Sequence, residues 1–96
     1  MIKAEEARAN VYNHQMEEYL TIGKKVQEDL ESISECIEFH SKNGFDSFEF
    51  NPYLHSRYPY DIAKKTASDF FSRILIDNGY EIIENNWEDN ILKVRW

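Results

Sequence analysis

From Lys3 to Lys42 the chain contains no proline and a single glycine, Gly23. Leu, Ala, Glu, Lys and Gln recur through this stretch, and these residues lose little on entering a helix. Val26, Leu30, Ile33 and Ile37 follow one another at steps of four, three and four, which places them on one helical face. Ala4, Ala7 and Val11 begin a similar stripe upstream, and the pattern blurs between Gln15 and Ile22. An unbroken helix here would be about 60 Å long at ~1.5 Å per residue. Too little chain remains to cover it. Either the helix breaks at Gly23, or its far end packs against another subunit, and a homo-oligomer built through this helix is the expectation. Asn43-Gly44 supplies the stop, because both residues tolerate a left-handed backbone.

The remainder reads as a β-α-β-β unit. Phe48 and Phe50 alternate within 45–50 as a half-buried strand does. A loop with two prolines runs from Pro52 to Tyr60. A second helix is predicted over 61–77, burying Ala63, Ala67, Phe70, Phe71 and Ile74, with Asn78-Gly79 as its stop. Tyr80 to Glu84 forms a strand, 85–90 a polar turn, and Ile91 to Trp96 a closing strand. Leu92, Val94 and Trp96 are expected on the face that meets the second helix. The fold class is therefore α+β, one domain over 1–96, with a helical arm at 1–43 and a three-stranded sheet with one helix at 44–96.

Composition limits the partners. Hydrophobic residues make up 42% of the chain and aromatic residues 15%, enough for one modest core. The formal charge of -7 at pH 7 argues against binding to nucleic-acid backbone or anionic membrane surface. No apolar run approaches the ~20 residues that span a bilayer. Met1 to Glu6 lacks the apolar core of a signal peptide. Cys36 is the sole cysteine and has no internal partner, so a cytoplasmic protein is expected.

Few residues point to chemistry. His14 has Glu17 and Glu18 a turn away, a spacing that metal sites use, but no second histidine is near, and no metal is expected. Cys36 lies between Glu35 and Glu38, whose charge makes a thiol a poorer nucleophile. Nucleophile motifs, glycine-rich phosphate loops and paired cysteines are absent, so neither an enzyme nor a cofactor is expected. The candidate binding residues are Tyr53, His55, Arg57, Tyr58 and Tyr60 in the proline loop, with Lys64 and Lys65 just downstream. Aromatic rings with cations suit a protein contact or a flat anionic ligand held near the start of the second helix. The second candidate surface is the acidic helix face of Glu28, Glu31, Glu35 and Glu38, which would suit a basic partner.

Glu6-Ala7-Arg8, Gly79-Tyr80-Glu81-Ile82 and Val94-Arg95-Trp96, in an α-β-α-β-β order, resemble a group of small bacteriophage accessory proteins. The resemblance implies a phage origin and a role in the host cytoplasm, and it transfers no functional residues. Proteins of that kind inhibit a host or antiphage-defence component by stoichiometric binding. Two alternatives remain open: an oligomeric sponge for an anionic nucleotide signal, and a structural or virion-associated protein.

Overall fold

The computed structural model describes residues 1–96. Helix α1 runs from Ala4 to Lys42 without a break. Gly23 is thus neither a bend nor a gap. The Phe70 ring lies over it, with Cζ 3.8 Å from where a Cβ would stand. Asn43 closes the helix, its side-chain amide donating to Phe39 O at 2.7 Å, and Gly44 follows at φ 88°. Helix α2, Asp61–Asp77, ends by the same device: the Asn78 amide donates to Ile74 O at 2.7 Å, and Gly79 takes φ 89°.

Strands β1 (Ser47–Phe50), β2 (Glu81–Asn86) and β3 (Ile91–Arg95) form an antiparallel sheet in the order β1-β3-β2. The sheet and its α+β class agree with the sequence expectation; several boundaries move. Phe45 lies outside β1 and is exposed. Strand β2 extends through Asn85 and Asn86, which had been assigned to the turn. Asn85 is held because its amide donates to Ser72 Oγ at 2.7 Å and Ser68 O at 3.2 Å on α2.

In register, Phe48 and Ile82 flank Val94, and Phe50 and Asn85 flank Leu92. These residues share one sheet face, because side chains alternate along a strand. Both helices cover that face, α1 against β1 and α2 against β2, and the helices also pack on each other. The other face carries Glu49, Lys93 and Glu84 in a row, and Arg95 bonds Glu81 across the strands at 3.4 Å.

Val26, Ile33 and Ile37 of α1 enclose the core with Ala63, Ala67, Phe71 and Leu75 of α2 and Leu92 and Val94 of β3. On α2 the fully buried positions include Ser68 and Leu75, whereas Phe70 and Ile74 sit half-buried at the margin. The α1 stripe that was expected to outrun the sheet is therefore covered: Val26, Ile33 and Ile37 are buried and Leu30 packs against them. The uncovered part is upstream, where every residue from Arg8 to Thr21 is exposed. The molecule measures 64 × 23 × 19 Å as a result. Trp96 packs at the edge of the core, and its indole N–H donates to Phe45 O at 2.9 Å.

Candidate functional site

The loop from Pro52 to Tyr60 turns tightly, with Tyr58 N–H donating to Leu54 O at 2.8 Å. That turn drives two of its three tyrosines inward. Tyr53 is 2% exposed and Tyr58 0%. The Tyr58 ring meets Phe71 edge-on, and its hydroxyl donates to Asp29 Oδ2 of α1 at 2.7 Å. The Tyr53 hydroxyl donates to Asn85 Oδ1. Burial pushes the Tyr53 phenol up to about 12, with hydrogen bonds to Ser68 and Asn85 opposing the shift. Burial raises Tyr58 further, and its bond to Asp29 acts in the same direction. Both side chains belong to the core and cannot be surface anchors, which corrects their assignment as binding residues.

Arg57 is also committed. Its guanidinium bonds Asp29 Oδ1 at 2.9 Å and Glu28 Oε2 at 3.1 Å. Lys25 reciprocates from α1, its ammonium donating to Arg57 O at 2.9 Å. The guanidinium therefore faces α1, and the anion site expected from Arg57 and Tyr58 at the start of α2 is not assembled. These contacts join the two candidate surfaces. Glu28 ties the loop down, Glu38 pairs with Lys42 at 2.9 Å, and Glu31 and Glu35 stay exposed without an ion-pair partner. His55, Tyr60 and Lys65 are exposed, and Lys64 is partly so.

Of the loop residues, Tyr60 alone joins Pro59 in lining a groove of about 450 Å³ between α1 and the start of α2. Ile22 and Ala63 supply apolar wall, and His14, Glu17, Glu18 and Lys25 the polar rim. Tyr60 and Ile62 project from its lip, 70% and 78% exposed. Ile62 was not singled out in the sequence, because an isoleucine at a helix start reads as one more core residue. His14 bonds Glu18 at 3.4 Å on an exposed surface, and no three His, Cys, Asp or Glu side chains converge as metal ligands. Cys36 is half-buried beside the Ile33–Ile37 stripe.

Three polar residues outside the candidate set prove to hold the loop. Asp29 accepts from both Tyr58 and Arg57. Asn85 secures Tyr53. Asn90, at φ 55°, accepts from Tyr53 N–H at 2.7 Å through its side chain and from Asn51 Nδ2 at 2.7 Å through its carbonyl. The one sequence signal was Asn90 itself, since asparagine tolerates a left-handed backbone.

No helix is long and apolar enough to cross a membrane. Compared with protein-family models, curated proteins and solved structures, the chain shows no match.

Proposed function

We propose that the chain is a stoichiometric binding protein: a phage accessory protein that occupies the surface of a host or antiphage-defence protein in the host cytoplasm. The observation that carries this reading is the lip of the groove. Tyr60 and Ile62 expose large apolar surface side by side with apolar wall behind them. Leaving such surface in water is unfavourable by roughly 25 cal/mol per Å², and contiguous apolar patches with a polar rim mark contact sites. Tyrosine is a favoured anchor at protein interfaces. The phage assignment rests on the sequence resemblance alone.

The nucleotide-sponge alternative has less support. Arg57 is paired with two carboxylates, and Glu17 and Glu18 stand at the groove beside its cationic groups. An anion would meet as much repulsion as attraction there.

The test is co-purification from host cells, quantified by native mass spectrometry, with wild type and Tyr60→Ser/Ile62→Ser compared. Wild type is expected to retain one protein at fixed stoichiometry, and the double variant to lose it. Glu31→Lys/Glu35→Lys should retain it. Retention by the groove variant with loss by the charge variant would transfer the function to the acidic face. Recovery of a nucleotide in place of a protein would establish the sponge.

A further inference from the structure

The exposed half of α1 continues the seam of its buried half. Ala9, Tyr12, Met16 and Tyr19 follow one another at steps of three and four, and Gly23 carries that alternation into Val26, Leu30, Ile33 and Ile37. A three-four repeat is the pattern by which one helix packs along another. Downstream the domain fills this role. Upstream nothing does: Tyr12 is 61% exposed, Met16 41% and Leu20, flanking the seam, 65%.

Charge identifies the occupant. Residues 1–25 contain four cationic side chains (Lys3, Arg8, Lys24, Lys25) and four carboxylates (Glu5, Glu6, Glu17, Glu18), so the whole formal charge of -7 falls on the remainder. The arm is the one long segment of this acidic molecule that can approach its own copy without net repulsion. Within the arm the signs are separated, with Glu5 and Glu6 at the tip and Lys24 and Lys25 at the root. Glu6 and Lys24 stand five turns apart at 3.6 residues per turn, so they lie on the same side of the helix, roughly 27 Å from each other.

We infer that this chain forms a two-fold dimer through an antiparallel pairing of the α1 arms, with the Tyr12–Met16 seams face to face. A two-fold axis perpendicular to antiparallel helices keeps each flank against the same flank of the partner. Glu6 of one copy then stands opposite Lys24 of the other, twice over. Tyr12 meets Met16, and Ala9 meets Tyr19. The two acidic domains lie at opposite ends of the pair. Parallel arms would instead set Glu6 on Glu6, Lys24 on Lys24 and both acidic domains side by side. The groove opens on the flank of α1 that carries His14, Thr21 and Lys25, away from the seam, so the dimer does not depend on what the groove binds.

Sedimentation equilibrium on the full chain tests this. Wild type should be a dimer at micromolar concentration. Tyr12→Glu/Met16→Glu should be a monomer with an unchanged circular-dichroism spectrum, since both residues lie outside the core. Glu6→Lys and Lys24→Glu should each weaken the dimer roughly tenfold, because symmetry applies each change twice, and the combined variant should regain wild-type affinity. A monomeric wild type, or a dimer indifferent to the seam substitutions, overturns the inference. Failure of the combined variant to recover overturns the antiparallel arrangement. A monomer that pairs only with a different co-purified protein assigns the seam to that protein instead.

Discussion

At the scale of single residues, the loop is held by phenols that must keep their protons. Tyr58 donates to a carboxylate and Tyr53 to an amide oxygen, and neither bond survives ionisation. Below about pH 10, the ordinary tyrosine value, folded and unfolded chains both hold these protons and the contribution is complete. Between 10 and about 12 the unfolded chain releases the Tyr53 proton while the folded chain retains it. Stability therefore falls as pH rises, by about 1.4 kcal/mol per pH unit for each such group, and the contribution is lost above the folded value. Tyr58, raised in the same direction, extends the fall to higher pH. Urea melts should show wild type markedly less stable at about pH 11 than at about pH 8. Tyr58→Phe should cost about 1–2 kcal/mol at the lower pH, through loss of the bond to Asp29, and should shrink the alkaline decline. A decline of equal size in the variant would show that Tyr58 is not shielded from water.

At the scale of elements, α1 decides the shape, and Gly23 is its one weak residue on propensity. The structure gives that residue no need for its freedom. It is helical, and an added Cβ would meet Phe70 at an ordinary 3.8 Å. Gly23→Ala should therefore stabilise the protein by about 0.5–1 kcal/mol, read as a higher urea midpoint at unchanged slope. A loss of stability would mean that α1 flexes at this point in solution.

The elements themselves were legible because periodicity and the two Asn-Gly stops are local signals. Boundaries slipped where a distant partner decides. Asn85 and Asn86 read as turn residues, yet Ser68 and Ser72 on α2 satisfy the Asn85 side chain and let the strand continue. The candidate site was misread for the same reason. A tyrosine–arginine loop looks alike in sequence whether its side chains face water or a carboxylate, and the deciding carboxylate, Asp29, lies a full element upstream. The groove lip was half legible: Tyr60 was chosen with its loop, while Ile62 resembled a core position.

At the scale of the whole molecule, the arm separates this protein from a compact domain. A globular chain of this length has a radius of gyration of about 12 Å, whereas the Cα value here is 16.5 Å. Small-angle scattering on the monomeric Tyr12→Glu/Met16→Glu variant should return the larger figure. A value near the globular one would mean that the arm folds back onto the domain.

The order of the strands sets a condition on how the molecule is made. The last strand in the chain, β3, is the middle strand of the sheet. Strands β1 and β2 pair with it and not with each other, so neither has a neighbour until β3 has emerged from the ribosome. Translation at about 5–20 residues per second takes roughly 2–9 s to travel from Phe50 to Arg95. During that time α1 can form alone, because its hydrogen bonds are local, but Phe48 and Phe50 wait with their ladder unmade. A ribosome that stalls before Ile91 would hold a nascent chain with a long helix, two unpaired strands and an open core. That state would be a better substrate for a chaperone or protease than any later one.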